Sequence, residues 1–208
     1  MKKYKELMIT TIVCLIPMAI GAYFYDQLPA QVPVHWDSAG PNGWASRAFA
    51  CFGLPGILTG LNLLVQITME NDPKKKNYAP VLKVFFKWLI PVLGFVTMII
   101  TIAAGLGQEV AVDMIMPVLL GVLLIVCGNY LPKCRQNYTM GIKCPWTLHS
   151  EENWKKTHHL AGYLYILEGL WILVVSVTGL PSILIMISLL VMAVVPFGYS
   201  FLLYKKGI

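Results

Sequence analysis

Six stretches of this 208-residue chain, at about residues 7–25, 48–69, 84–106, 110–131, 159–178 and 181–204, are predominantly apolar over 19 to 24 positions. A helix needs roughly 20 mostly apolar residues to cross a hydrocarbon layer of ~30 Å, so each stretch is long enough to span a bilayer. The rest of the composition leaves little alternative. Hydrophobic residues make up 57% of the chain, charged residues only 12%, and the mean hydropathy is +0.68. A water-soluble domain of this size keeps much of its surface wet and needs far more Lys, Glu and Asp. The chain therefore reads as all-α, a polytopic membrane protein of about six transmembrane helices.

Turn chemistry separates the spans. Gly105, Gly107, Gln108 and Glu109, followed by Asp113, interrupt an otherwise continuous apolar stretch, so a hairpin is expected there. Gly179, Leu180 and Pro181 mark a second tight turn, because proline ends one helix and is tolerated in the first turn of the next. The first span resembles a secretory signal in having Lys2, Lys3 and Lys5 ahead of an apolar core. It ends in Tyr23, Phe24 and Tyr25, an aromatic border typical of a retained helix, with no small-residue cleavage pattern. Pro17, Pro55, Pro91, Pro117 and Pro196 fall within spans, where they kink helices.

Charge sets the expected orientation. With both termini in the cytoplasm, the inner segments carry Lys2, Lys3, Lys5, Lys74, Lys75, Lys76, Lys83, Lys87, Lys133, Arg135, Lys143, Lys155, Lys156, Lys205 and Lys206, which is 15 of the 16 basic residues. Arg47 is the exception, and Asp26, Asp37, Glu109 and Asp113 fall on the other side or at its border. The pI of about 9.0 follows from this topology and from anionic lipid headgroups. No direct nucleic-acid partner is needed to explain it. The chain divides into 1–70, two helices with an extracellular loop at about 26–47, and 71–208, four helices with a long cytoplasmic loop at about 132–158.

Catalytic and metal chemistry find no support. Five scattered cysteines, at 14, 51, 127, 134 and 144, give no disulfide framework, and they form no C-x-x-C or zinc spacing with His149, His158 and His159. No G-x-S-x-G, H-E-x-x-H or G-x-x-x-x-G-K-[ST] occurs. The expectation is a protein that is not an enzyme and has neither metal nor cofactor.

Two loops carry the information. In the outer one, DQLPAQVPVHWDSAGPNGWASR, Pro29 and Pro33 oppose a helix and Gly40, Pro41, Asn42 and Gly43 form a turn cluster. A compact excursion is expected, neither strand nor helix, with Trp36 and Trp44 at the headgroups. In the inner one, PKCRQNYTMGIKCPWTLHSEENWKKTH, a turn is expected at Met140-Gly141 and a helix start at Ser150, which caps a first turn holding Glu151 and Glu152. Trp154, His158, Ala161 and Tyr165 then recur at three and four residues, so one stripe runs from this helix into the fifth span. The stripe fits either an interfacial elbow packed under the bundle or a docking surface for a cytoplasmic partner.

Inside the spans Glu168 stands out, since an isolated carboxylate there costs ~3 kcal/mol or more. Asn62, Gln66 and Asn129 are its candidate hydrogen-bonding partners. The group is expected to serve as interhelical glue, as a proton relay or as a peptide-binding contact.

The strings LPAQVPVHWDSAGPNGWASR, closed by Leu54-Pro55, and GNYLPKCRQNYTMGIKCPWTLHSEENWKKTHHLAGYL resemble, in order and spacing, the two halves of the SdpI-type family of bacterial membrane proteins. The resemblance implies a six-span protein of the bacterial cytoplasmic membrane that protects its producer from a secreted peptide toxin. It also implies, for the founding member, a receptor that draws an ArsR-type transcriptional repressor to the membrane. Carried over by position, the outer motif residues are Pro33, His35, Trp36 and Gly40, which with the adjacent Asp37 are the toxin-sensing candidates. The inner motif residues are Asn129, Pro132, Asn137, Gly141, Pro145, Trp146, Thr147, Trp154 and His158, and all of these except Asn129 and Pro132 are repressor-docking candidates. Cys134 and Cys144 stand outside the pattern. Two alternatives of other classes stay open: a small proton-coupled transporter using Glu168, and a structural membrane protein of envelope stress.

Overall fold

A computed structural model describes residues 5–37 and 40–208; Lys2 and Lys3, used in the charge argument, lie outside the described residues. Six helices are long and apolar enough to cross a membrane. They comprise α1 (Lys5–Phe24), α2 (Leu54–Asn71) with the π-turn Phe49–Gly53 ahead of it, α3 (Pro80–Gly105), α4 (Val112–Tyr130), α6 (Glu151–Thr178) and α7 (Ile183–Lys205). A five-residue helix, α5 (Pro145–His149), precedes α6. The breaks fall where turn chemistry places them: α3 stops at Gly105 with Gly107 at φ +81°, and α6 stops at Thr178 with Gly179 at φ +70°. Leucine, isoleucine and valine side chains such as Leu61, Leu167, Val177 and Leu190 remain exposed along the helices, which is the surface a lipid solvent covers.

Contacts divide the chain into two units, residues 1–68 with 84–113 and residues 69–83 with 114–208. In the first unit the 26–47 segment corrects the expectation of an irregular loop. Its residues form an antiparallel hairpin, β1 (Gln31–Asp37) and β2 (Gly40–Ser46), with Gln31 opposite Ser46 and Asp37 opposite Gly40. Pro33 is tolerated because the pairing is irregular between Pro33 and His35, and a two-stranded ribbon has free edges on which a missing N–H costs nothing. Val32 anchors the ribbon, fully buried among Leu28, Ala50, Cys51, Met98 and Ile102. A Cβ on Gly105 would stand 2.7 Å from Leu28 Cδ2, so the end of α3 receives the hairpin base. Arg47, the one cation outside the basic segments, donates from Nη1 to the Tyr25 carbonyl at 3.2 Å and the Leu28 carbonyl at 3.0 Å, and its guanidinium covers the Tyr25 ring. Its charge closes the base of the hairpin.

Within this unit buried Lys87 of α3 forms an ion pair with Glu6 in the first turn of α1. Asn62 and Gln66 of α2 reach the Thr10 hydroxyl of α1, and Gln66 Nε2 also donates to Asn62 Oδ1 at 3.0 Å. Their partners are therefore on α1, which corrects the expectation that they answer Glu168.

In the second unit two glycine pairs bring α4 and α6 together. A Cβ on Gly169 would stand 2.5 Å from the Gly121 carbonyl oxygen, and one on Gly128 would stand 2.6 Å from the Gly162 carbonyl oxygen. The pairs are seven residues apart on each helix and run antiparallel, so backbone meets backbone at two levels of one seam. With no hydrophobic drive between helices in lipid, such close approach is the main source of attraction. Leu124, Ile172, Val175 and Ile185 extend the packing to α7. Gly169→Val is expected to destabilise the solubilised protein by roughly 1–3 kcal/mol through overpacking. Gly60→Ala, with nothing within 4 Å of the added carbon, should leave thermal unfolding unchanged or raise its midpoint.

Candidate functional site

The 131–150 segment is non-helical for most of its length, and its backbone groups are met by a buried set of side chains. Asn137 Oδ1 accepts from the Thr139 and Met140 N–H groups at 3.0 and 2.6 Å, and its Nδ2 donates to the Arg135 carbonyl at 2.9 Å. Gln136 Nε2 donates to the Thr147 and Leu148 carbonyls, both at 2.9 Å, and Lys74 donates to Gln136 Oε1. The Cys144 N–H donates to Thr147 Oγ1 at 3.0 Å, and that hydroxyl donates onward to the Ile142 carbonyl at 2.9 Å. Polar side chains thus replace the ladder that helix or sheet would supply.

Helix α6 completes the set. Ser150 caps it by accepting from the Asn153 N–H, as its position predicts. Trp154 Nε1 donates to the Cys134 carbonyl at 2.8 Å, and its ring stacks on His158 with centroids 3.9 Å apart. His158 Nδ1 lies 2.8 Å from the Trp154 carbonyl and Nε2 accepts from the Ile142 N–H at 3.0 Å, which fixes the neutral ring with its proton on Nδ1. Gly141, at φ +104°, passes so close that a Cβ would stand 2.3 Å from His158 Nε2. No side chain fits there. Asn153 ties α6 to α7, donating to the Ser200 carbonyl at 3.0 Å and accepting from the Ser200 hydroxyl at 2.7 Å.

Asp72, between α2 and α3, is the residue that sequence reasoning missed. It is 5% exposed, and its carboxylate accepts from the Lys74 and Tyr138 N–H groups and from the Tyr78 and Thr139 hydroxyls, at 2.7 to 2.9 Å. Burial pushes its pKa up, but the four donors together outweigh burial and hold it below the usual carboxylate range. The same burial, reinforced by the Asp72 charge, pushes the Tyr78 phenol up. A short acidic residue in a charged loop reads as solvated, and no pattern distinguished this one.

Burial sorts the docking candidates. Asn137, Thr147 and His158 are 0% exposed and Trp154 is 2% exposed, so these four build the segment from within. They offer no surface to a partner, which corrects their assignment as contact residues. Pro145 is exposed, Gly141 and Trp146 are half-buried, and Trp146 stands against Phe201 and Tyr204 with centroids 5.1 and 6.1 Å away.

The hairpin holds the outer candidates. Pro33 is buried and Trp36 and Gly40 are half-buried, whereas His35 and Asp37 are exposed. Asn42 joins the two exposed groups: His35 Nδ1 donates to Asn42 Oδ1 at 2.5 Å, and Asn42 Nδ2 donates to Asp37 Oδ2 at 2.6 Å. Gly43 leaves room for this arrangement, because a Cβ there would meet His35 Cβ at 2.7 Å. The result is a polar tip of donors and acceptors on a two-stranded frame.

Glu168 is 7% exposed and accepts from the Ser188 hydroxyl of α7 at 2.7 Å, a partner the sequence reading did not include. Asn129, the other residue considered for it, is exposed near the end of α4. A groove of about 430 Å³ lined by Leu164, Leu167, Trp171, Ile187 and Val191 opens beside the pair. Among the described residues no group of three or more His, Cys, Asp or Glu side chains converges as metal ligands, and all five cysteines are free and buried.

Comparison with known proteins matches residues 133–200 to the SdpI/YfhL protein family and residues 12–59 to a domain of unknown function, DUF1648. The chain is 29% identical over 204 residues to the immunity protein SdpI of Bacillus subtilis (strain 168), covering 97% of each chain. No solved structure matches.

A group with a depressed pKa stabilises the fold above its unfolded value, and that contribution is lost as pH falls through the folded one. The stability gap between wild type and Asp72→Asn is therefore expected to be constant from pH 7 to 5, on the order of 1–3 kcal/mol, and to shrink below about pH 4. Thermal unfolding of the solubilised protein across that range measures it. A gap that widens in acid would contradict the assignment.

Proposed function

We propose, from the match of residues 133–200 to the SdpI/YfhL family and the likeness along the whole chain to an immunity protein, that this multi-pass membrane protein protects a bacterial cytoplasmic membrane against a secreted antimicrobial peptide met at the hairpin tip. The observation that carries the proposal is the exposed His35–Asn42–Asp37 cluster, the polar feature of the 26–47 segment that is built and open at once. The basic bias of the other segments places this hairpin outside, where a secreted peptide arrives. Extended strands with open edges and a polar end suit a peptide partner, because backbone groups can pair along the ribbon while the tip selects side chains.

An ArsR-type repressor is the inner partner in this reading. Its contact is assigned to the accessible corner of Pro145 and Trp146 with Phe201 and Tyr204, since Asn137, Thr147, Trp154 and His158 are closed off. Loss of the tryptophan ring from such a corner removes a side chain of the kind that dominates interfaces. Glu168 is read as interhelical glue, satisfied by Ser188 and paired with no cation among the described residues.

Expression in a peptide-sensitive strain tests the proposal. Cells carrying the wild-type chain should survive peptide from producing relatives, and His35→Ala with Asn42→Ala, at unchanged membrane abundance, should lower the tolerated concentration by about tenfold. In the same strains Trp146→Ala should reduce membrane-bound repressor while survival persists. Full protection by the tip variants would reject the hairpin as the sensing element.

A further inference from the structure

A second built feature of residues 69–83 and 114–208 borders the buried network of the inner motif string. A cleft of about 260 Å³ opens between the start of α3 and the end of α4, lined by the cations Lys76, Lys133 and Arg135 together with Tyr130, Pro80 and Val81. No carboxylate lines it, and none of the three cations has an ion-pair partner among the described residues. Three unpaired positive charges around one concavity attract an anion and repel one another while it is empty.

The cationic lining is held in place. The Arg135 N–H donates to the Asn77 carbonyl at 3.0 Å and Asn77 Nδ2 donates to the Gln136 carbonyl at 2.7 Å, so the segment bearing Arg135 is stapled to the turn bearing Lys76. Lys133 Nζ sits 4.4 Å over the Tyr130 ring. These contacts fix the backbone and hold the Lys133 ammonium over an aromatic face, and none of them neutralises a positive charge. Beside the cations the lining is apolar: Pro80 and Val81 are exposed side chains on the first turn of a helix long and apolar enough to cross a membrane.

We propose that this cleft is a binding site for an anionic glycerophospholipid, with the phosphate among Lys76, Lys133 and Arg135 and the glycerol and first acyl carbons over Pro80 and Val81. A basic lining beside apolar membrane-facing groups matches the two ends of a lipid headgroup region, whereas a free phosphate uses the cations alone. Tyr130 marks the level, since tyrosine concentrates where headgroups meet hydrocarbon.

Native mass spectrometry of the full chain in a mild detergent, titrated with dioleoyl phosphatidylglycerol, dioleoyl phosphatidylcholine or inorganic phosphate, tests the assignment. Phosphatidylglycerol should bind preferentially, and Lys133→Gln with Arg135→Gln should weaken it by on the order of tenfold or more while leaving phosphatidylcholine binding unchanged. Lys206→Gln, an exposed cation at the end of α7, is the control and should change nothing. Unchanged unfolding temperature in each variant confirms that the fold persists. Equal binding of the two lipids, an equal loss in the Lys206 control, or inorganic phosphate competing as well as phosphatidylglycerol would each overturn the proposal.

Discussion

Backbone that leaves the helix and is then buried inside the protein must have its N–H and C=O groups answered by side chains, because neither water nor a neighbouring ladder reaches them. Each unsatisfied group in an apolar environment costs several kcal/mol. The segment between α4 and α6 is built around this constraint. Asn137, Gln136, Thr147 and His158 each meet between one and three of its backbone groups, and Asp72 reaches in from the preceding turn to accept the Tyr138 N–H. The one place where no side chain fits is Gly141, which yields to the His158 ring.

That constraint changes what the inner motif string means. Residues spaced as N-x-x-x-G and P-W-T-L look, in one dimension, like the surface of an interaction loop. In three dimensions the asparagine, the threonine and the histidine are the struts of the loop, and the aromatics left at its surface are Tyr138, exposed, and Trp146, half-buried. The tryptophan two turns later, Trp154, is spent on the Cys134 carbonyl and the His158 face. A partner of this segment therefore meets a shape held rigid from behind.

The spans were legible because lipid imposes a length and a composition that few other environments do, and the turns at Gly107 and Gly179 because left-handed backbone favours glycine. The Ser150 cap and the stripe from Trp154 to Ala161 were legible for the same local reasons. Longer-range pairings were not. Pro33 reads as a strand breaker, yet a two-stranded ribbon accepts it, and the hairpin that frames His35 and Asp37 went unread. Asp72 resembles a solvated loop carboxylate until the distant Tyr138 and Thr139 are brought beside it. Ser188 is an unremarkable serine in an apolar helix until α7 folds back on α6. Glycines 121, 128, 162 and 169 have a regular spacing, but only the fold shows which backbone each one meets.

The central claim is that the 134–147 segment is a fixed, internally bonded element and not a loop ordered by its partner. Amide hydrogen exchange of the chain reconstituted in lipid nanodiscs measures this directly. The Met140, Ile142 and Cys144 N–H groups, each bonded to a buried side chain, are predicted to exchange as slowly as amides near the ends of the membrane helices, with no partner present. Exchange of these amides at the rates of an unstructured peptide would contradict the account.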